Sequence, residues 1–457
     1  MNWSNIRPLQ GSQQEGFEEL VCQLARKETI ETRKKFIRKG KPDAGVECYW
    51  ILDDDKEIAW QAKYFLTSPS NNQWGQIDKS VKTVLDKHPN LKKYYVAIPN
   101  DPADSRVENQ ESMLDKWNER VEKWKEWAEG KEMNVEFLPW WSSDMIERLQ
   151  RQENAGLTYY WFNKEEITDQ WLSKINEQAI KALGKRYTPE VHVELEISKV
   201  FNGVSRDEYF ERQIITLLDK MLIQYKKISD ENEDAKSILK IIDESVNNIR
   251  NLYEITEFRE VSYIDYEKFI TQIDAITKAS EDLYNLYNDK ESENKLKNEG
   301  THYTKKYGYE LSKLRDFDTS AYTMKRFMLQ EAAKLSNLPI LLIEGDAGIG
   351  KSHLIADSII KRETEGKGSL LLLGQHFVTD LDPWHQIATK LHLRCSPDEF
   401  LGALNTKAQI TGNRFIIFID AIKEDRKAIF TQDTIRSLIL VLLSAGLIWA
   451  FLKEKLK

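Results

Sequence analysis

Cysteine is scarce in this chain of 457 residues. Cys22, Cys48 and Cys395 are too few and too widely separated for a disulfide framework or a CxxC metal site. The N-terminal stretch MNWSNIRPLQ also lacks the apolar run that a secretory signal peptide requires. Both absences favour a reducing compartment, and we expect a cytoplasmic protein without stable membrane association.

An excess of positive charge is also missing. The chain has 66 Lys and Arg against 74 Asp and Glu, which gives a formal net charge of -8. This balance argues against a globally basic, histone-like nucleic-acid binder, although a few local Lys and Arg side chains would still suffice to bind phosphates. A hydrophobic fraction of 41% is typical of a globular protein, and the length allows two or three domains with their own cores.

One apolar run stands out, LILVLLSAGLIWAFL at 438–452, which carries no charge. It is shorter than the roughly 18 to 20 residues that a membrane-spanning helix needs. We favour a buried strand and helix of an α/β domain. A membrane anchor and an unnatural tail from a truncated or frame-shifted gene are the alternatives.

Tryptophan divides the chain, because only Trp384 and Trp449 of thirteen lie beyond Trp171. Before that point, strand and helix patterns alternate. Ser12 can cap a first helix, the segment 41–65 contains two strands joined by a turn, and further elements are expected near 77–85, 92–99, 117–127, 134–138 and 143–149. This alternation predicts an α/β domain at 1–155.

The remainder predicts two further regions. Residues 156–300 read as a connector, extended at 185–197, followed by a spacer of three or four helices over 207–289. The charged stretch 288–300 is typical of a solvated linker. Residues 301–457 begin with a helix and continue as another α/β domain, so the predicted fold class is α/β multidomain.

A phosphate-binding loop is predicted at 344–353, EGDAGIGKSH. It has the spacing G-x-x-x-x-G-K-S and lies between an apolar strand and a helix, as such a loop requires. Lys351 would reach the β- and γ-phosphates of ATP, and Ser352 would ligate Mg²⁺. Backbone N–H groups would surround the phosphates along the loop residues Gly345, Asp346, Ala347, Gly348, Ile349 and Gly350.

Asp420 ends the apolar strand RFIIFID, as the acid of a Walker B strand does, and would hold Mg²⁺. Glu424 is the candidate for a catalytic glutamate, with a plain surface acid as the equal alternative, so hydrolysis of the nucleotide stays open. His353 directly follows the loop, and a position on the helix surface is favoured over contact with nucleotide.

A second polar group is predicted in the first domain. Gln61 and Lys63 share one face of a strand, and Glu47 faces them if the turn at 53–55 sets an even register. Asp43 precedes the first of the two strands. Oxygen ligands beside a Lys are what Mg²⁺-dependent phosphodiester cleavage needs, because the metal activates water and the Lys stabilises the developing charge.

Each of these residues also has an ordinary structural interpretation. Lys63 could be an edge-strand Lys, Gln61 a cross-strand hydrogen-bond partner and Glu47 a solvated strand acid. Their joint spacing favours the nuclease interpretation. The neighbouring aromatic residues are expected in the core rather than as a base-stacking platform; they are Trp50, Trp60, Tyr64 and Phe65.

The elements Pro42-Asp43, Glu47 and Gln61-x-Lys63 resemble the PD-(D/E)xK restriction-endonuclease-like superfamily, in particular its Mrr-like branch, whose last element is often Q-x-K. The resemblance implies that Glu47 is the metal ligand and that Asp43 is a supporting or alternative ligand. It also implies an acid on the first helix. Glu18 matches that position, and Glu19 does so less well. The departure is Glu at position 47, where Asp is commoner.

The order of nuclease, helical spacer and P-loop resembles bacterial antiviral STAND NTPases with an Mrr-like endonuclease domain. Further matching segments are FEEL at 17–20, KRYTPE at 185–190 and FIDA at 418–421. The resemblance implies a phage protein as the trigger and ATP and Mg²⁺ as cofactors. It further implies that ATP binding drives homo-oligomerisation and that the clustered nuclease domains cut double-stranded DNA.

The chain departs from that family after Asp420, because only residues 421–457 follow where an arginine sensor, a winged helix and a long sensor region are expected. Arg426 and Arg436 are the candidates for the missing arginine. We therefore predict weak NTP binding without target-triggered control. Two alternatives remain open: an N-terminal domain that binds DNA without cleaving it, and a membrane-tethered NTP-binding adaptor.

Overall fold

The computed structural model divides the chain into two compact units. The first contains Met1–Trp171 and Arg394–Thr406, and the second contains Leu172–Leu393 and Lys407–Lys457. The fold is mixed α/β and mostly helical. The described residues are 1–40, 45–103, 112–187, 201, 203–228, 233–258, 263–297, 307–338, 340–346, 348–377, 383–422 and 448–454.

The first unit contains five α-helices among its described residues. They are α1 (Gln13–Lys27), α2 (Asn71–Lys87), α3 (Met113–Glu129), α4 (Ser142–Gln150) and α5 (Ala155–Phe162). Ser12 caps α1 as predicted, because its side chain accepts a hydrogen bond from the Glu15 N–H. Full capping boxes begin α2 and α3.

A five-stranded sheet forms the centre of the first unit. Its strands are β1 (Arg33–Arg38), β2 (Cys48–Leu52), β3 (Glu57–Ala62), β4 (Leu91–Ala97) and β5 (Glu136–Trp140), and they lie in that order. The first two pairings are antiparallel and the last two are parallel. The predicted strand pair within 41–65 is therefore β2 and β3, and β1 is a third strand that the sequence pattern did not predict.

The core of the first unit is rich in tryptophan. Trp74 and Trp124 are fully buried beside Trp117 and Trp141 in one cluster with strand residues such as Tyr94. A close helix contact joins α5 to the segment 394–406: a Cβ on Gly156 would lie 2.3 Å from the Cα of Gly402. The tryptophan-rich region is thus a unit with its own core.

The second unit contains most of the helices. They are α6 (Asp169–Leu183), α7 (Glu208–Tyr225), α8 (Glu233–Ile255), α9 (Tyr266–Lys297), α10 (Gly308–Met328), α11 (Glu331–Ser336), α12 (Lys351–Thr364) and α13 (Pro383–Leu391). A last helix, α14 (Pro397–Thr411), begins in the segment assigned to the first unit. Buried Phe210, Ile242, Phe269 and Phe317 join α7 to α10 in one apolar core. Three helices, α7, α8 and α9, cover the region 207–289 for which three or four were predicted, whereas α10 lies in the predicted third region.

A four-stranded parallel sheet completes the second unit. Its strands are β6 (Ile340–Gly345), β7 (Ser369–Leu373), β8 (Ile416–Ile422) and β9 (Ile448–Glu454). They lie in the order β6-β9-β8-β7, and every pairing is parallel. The end of the apolar run 438–452 therefore belongs to a strand inside this sheet, whereas 438–447 lies outside the described residues.

Two predicted non-helical segments differ from the structure. The charged stretch predicted as a linker from 288 onward is helical as far as Lys297, because α9 continues through it. Glu and Lys are good helix formers, and the pair Lys297–Glu293 is spaced i, i+4. The predicted extended connector begins at 185, but its first two residues, Lys185 and Arg186, belong to the 3-10 turn Gly184–Arg186 directly after α6.

Within the part of the chain that the structure describes, no helix is long and apolar enough to cross a membrane.

Candidate functional site

The loop 345–352 connects β6 to α12 and has the backbone shape that its glycines allow. Gly348 and Gly350 have φ values of +85° and +92°, a region that side chains other than glycine rarely adopt. Gly350 is the residue before the first residue of α12. The N-terminus of a fourteen-residue helix therefore lies at the loop, where its free N–H groups favour an anion.

Lys351 folds back over this loop. Its Nζ donates to the carbonyl oxygens of Gly345 and Asp346, both at 2.8 Å. Ile349 at the loop tip is 60% exposed. The ammonium group is thus held at the concave side of the loop, where a polyphosphate would meet it.

Ser352 and Asp420 meet although their elements are far apart in sequence. The Ser352 Oγ donates to Asp420 Oδ1 at 3.1 Å. One strand, β9, separates the loop strand β6 from β8, which carries Asp420. The first turn of α12 bridges that gap, so the predicted hydroxyl and carboxylate form one group. Glu424, Ala347, Arg426 and Arg436 lie outside the described residues.

Asp420 has a second partner that the sequence did not predict. Arg186 Nη1 lies 3.3 Å from Asp420 Oδ2, and the next residue, Tyr187, donates from its hydroxyl to Asp357 Oδ1 on α12 at 3.1 Å. The rings of Tyr187 and His353 are 5.1 Å apart, and His353 is half-buried rather than on an open helix surface. Both residues lie in the segment KRYTPE at 185–190, which is one of the stretches that resemble the STAND family. That resemblance assigned no role to Arg186 or Tyr187.

In the first unit, Glu47 and Gln61 form a buried pair. Residues Cys48 and Trp60 lie opposite each other, so the even register continues to Glu47 and Gln61. The Gln61 Nε2 donates to Glu47 Oε1 at 2.5 Å. Gln61 is 1% exposed and Glu47 is 7% exposed. Both side chains lie on the same face, as the metal-site hypothesis requires.

An unpartnered oxygen accompanies this pair. Gln61 Oε1 is buried and has no hydrogen-bond partner in the described structure. Lys63 directly follows β3, and its backbone N–H donates to the Ala97 carbonyl of β4 at 2.9 Å. This bond keeps Lys63 at the end of the β3–β4 pair. Asp43 lies outside the described residues.

The acids of α1 have different surroundings. Glu19 is buried and forms an ion pair with Arg38. Glu18 is half-buried and accepts a hydrogen bond from Gln14 Nε2 at 2.8 Å. The pKa of Cys22 is raised, first by its hydrogen bond with Cys48, then by burial, and also by the charges of Cys48, Glu47 and Glu18. Glu18 and Glu47 therefore both lie near this thiol.

The neighbouring aromatic residues mostly belong to the core. Trp60 is 1% exposed and stacks on Tyr95 with ring centroids 5.0 Å apart, and Trp50 is also buried. Tyr64 and Phe65 are half-buried, and the Tyr64 hydroxyl donates to the Trp3 carbonyl at 2.8 Å. This supports the core interpretation over a base-stacking platform.

Both groups of residues offer oxygen atoms of the kind that Mg²⁺ prefers as ligands. Among the described residues, no three His, Cys, Asp or Glu side chains form a metal-binding cluster. The Ser352 hydroxyl beside the Asp420 carboxylate nevertheless fits a metal that is held largely by phosphate and water. The Glu47 carboxylate and the unpartnered Gln61 Oε1 are likewise oxygen ligands of the kind Mg²⁺ prefers.

Comparison with models of protein families, with curated proteins and with solved structures finds no match for this chain.

Proposed function

We propose that this chain is an antiviral defence effector, an ATP-controlled and Mg²⁺-dependent endonuclease that acts on double-stranded DNA. The observation that carries the proposal is the contact between Ser352 and Asp420, which joins the loop and the acid strand in one site. In the proposal, ATP binding at this site drives self-association, and self-association activates the nuclease of the first unit. A phage protein is the proposed trigger, and the cytoplasm is the proposed compartment.

The nucleotide half of the proposal rests on this chain's own groups. The loop N–H groups and Lys351 bind the polyphosphate, and Lys351 exchanges two carbonyl partners for phosphate oxygens when it does so. Ser352 and Asp420 hold the accompanying Mg²⁺, which neutralises phosphate charge when bound. Hydrolysis of ATP is not part of the proposal.

The nuclease half rests on the buried Glu47–Gln61 pair. Among the described residues the buried Gln61 oxygen has no hydrogen-bond partner. Such an oxygen costs about 1–3 kcal/mol when it stays unpartnered, so a ligand for it would explain why it is there. A bound Mg²⁺ would activate water and polarise the phosphodiester. Glu47 and Gln61 would hold the ion, and Lys63 would orient the water or stabilise the charge of the transition state.

Nucleotide binding tests the first half. Calorimetric titration with ATP and Mg²⁺ is expected to give binding by the wild type and a loss of about 10- to 100-fold for Lys351→Ala, the value of a charged hydrogen bond. Lys361→Ala is the matched control, because Lys361 is an exposed Lys in the last turn of the same helix. Equal binding by both variants would remove the loop from the proposal.

Nicking of supercoiled plasmid tests the second half. Wild type is expected to nick in the presence of Mg²⁺ and Lys63→Ala is not, whereas Lys56→Ala, an exposed Lys in the turn of the same strand pair, is expected to retain activity. Equal nicking by wild type and Lys63→Ala would assign the activity to a contaminant. DNA binding without cleavage by every form would favour the alternative of a non-cleaving DNA-binding unit.

A further inference from the structure

The segment Gly184–Tyr187 is fixed at the proposed nucleotide site from two directions. On the α6 side, the buried Asn176 donates to the Ser369 carbonyl at 3.0 Å and accepts from the Leu371 N–H at 2.9 Å, which fastens α6 to β7. On the other side, Tyr187 is hydrogen-bonded to Asp357 of α12. Arg186 lies between these two anchors, so its position beside Asp420 is imposed by the fold.

Arg186 supplies the countercharge of a buried acid. The Asp420 side chain is 3% exposed, whereas that of Arg186 is 39% exposed. A carboxylate buried to this degree is costly without a positive partner. Ser352 binds one carboxylate oxygen and Arg186 lies at the other, while Lys351 is directed to the loop carbonyls. Among the described residues, therefore, the Arg186 guanidinium is a positive partner of the Asp420 carboxylate.

The same carboxylate is the proposed Mg²⁺ ligand. A guanidinium and a Mg²⁺ ion that both contact one monovalent carboxylate repel each other, and this repulsion grows as water is excluded. The guanidinium is more exposed than the acid, and its chain can move toward solvent. Ser352 can keep its place, because a neutral hydroxyl serves equally as donor to Asp420 and as metal ligand.

We infer that Arg186 is an internal counter-ion that competes with Mg²⁺ for Asp420, so that loading of Mg²⁺ with ATP requires displacement of Arg186. This inference rests on the proposed nucleotide site. It adds the residue that determines how much Mg²⁺ this site needs for ATP binding. The arginine comes from the segment after α6, more than a hundred residues before the loop, and not from the region after Asp420.

The test measures the Mg²⁺ concentration that half-saturates ATP binding at a fixed ATP concentration. Arg186→Ala is expected to lower this concentration about three- to tenfold, the range of a partly exposed ion pair. Arg186→Gln, which loses the charge but keeps most of the side chain, is expected to shift it in the same direction. Lys185→Ala is the matched control, since it removes an exposed positive charge from the same turn, and a change within about twofold is expected.

The Asp420→Asn background isolates the pair. Once the carboxylate is gone, Arg186→Ala is expected to cause no further shift in the Mg²⁺ requirement, because nothing is left to compete for. A Mg²⁺ requirement that is unchanged or higher in Arg186→Ala would overturn the inference while leaving the nucleotide site standing. An equal shift in Lys185→Ala, or an undiminished shift in the Asp420→Asn background, would also overturn it. Absence of ATP binding by the wild type would overturn the nucleotide site itself and the inference with it.

Discussion

Gln61 donates a hydrogen bond to Glu47 across two neighbouring strands, and its own amide oxygen is buried with no hydrogen-bond partner among the described residues. Within the part of the chain that the structure describes, the Gln61 amide is satisfied on its nitrogen but not on its oxygen. A packed core alone does not account for this arrangement, because the same strands could have buried two apolar residues at no such cost.

Glu47→Gln is expected to separate function from stability. The side chain keeps its shape and can still bond to Gln61, so thermal unfolding should change little. Loss of the charged ligand should lower Mg²⁺-dependent nicking by more than about 100-fold, beyond the effect of removing a supporting partner. Plasmid nicking and circular dichroism melting on the same samples check both parts. Retained nicking would show that Glu47 is only a structural partner of Gln61.

Ser352→Ala is expected to weaken only the part of ATP binding that depends on Mg²⁺. The hydroxyl is a donor to Asp420 and a proposed metal ligand, whereas the phosphate contacts of the loop do not need it. The ratio of ATP affinities with and without Mg²⁺ should fall about tenfold, the value of one good hydrogen bond or ligand. Ser358→Ala on the same helix is the control, because its hydroxyl bonds the Leu354 carbonyl at 2.7 Å. A similar fall in both variants would contradict the assignment.

Asn176→Ala is expected to destabilise the second unit by ~2 kcal/mol or more, because it leaves a buried carbonyl and a buried N–H of β7 without partners. β7 is the last strand of its sheet within the described part of the chain, so none of the other described strands can supply these bonds. Urea unfolding of Asn176→Ala and of Gln178→Ala, an exposed residue on the same helix, makes the comparison. Equal unfolding midpoints would show that the amide contributes nothing.

The thiol of Cys395 is expected to react slowly at neutral pH. Burial raises its pKa to about 11, with the charges of Glu166 and Glu399 adding to the effect and the Tyr159 hydroxyl opposing it. The rate of iodoacetamide alkylation should therefore rise about tenfold per pH unit up to near pH 11 in the folded chain. In the urea-unfolded chain the rate should level off near pH 8.5. Peptide mass spectrometry of Cys395 gives both profiles.

The sign of the linked stability follows from the same shift. The folded-state pKa lies above the unfolded value, so the folded chain binds this proton more tightly. The stabilisation is fully present below about pH 8.5 and is lost as the pH rises through about 11. A folded chain whose alkylation rate already levels off near pH 8.5 would contradict the burial of this thiol.

Much of the fold could be predicted because its signals are local. Three of the predicted features depend only on residues that are adjacent in sequence. They are the Ser12 cap, the turn between β2 and β3, and the loop between β6 and α12. β1 was not predicted, because the sequence RKKFIR has only two apolar residues. It is a strand because it pairs with β2, and that pairing is a tertiary effect.

The difference between local signals and tertiary contacts also explains why the Glu47–Gln61 pair could be predicted and the Arg186–Asp420 contact could not. Glu47 and Gln61 could be paired because a short turn fixes their register. Arg186 and Asp420 are brought together by packing of α6 on the sheet, and no periodicity in the sequence reports a contact over that separation. The division of the chain into three domains remains a prediction.

The inclusion of Arg394–Thr406 in the first unit also matters for how the chain is made. Domains usually fold in order as they leave the ribosome, at about 5–20 residues per second. Here the segment that places Gly402 against Gly156 emerges only after β6 and α12 have been synthesised. The first unit therefore stays incomplete while the residues between Trp171 and Arg394 are synthesised, which takes on the order of tens of seconds. A nascent chain that carries the Glu47–Gln61 pair cannot finish this unit before the loop 345–352 exists.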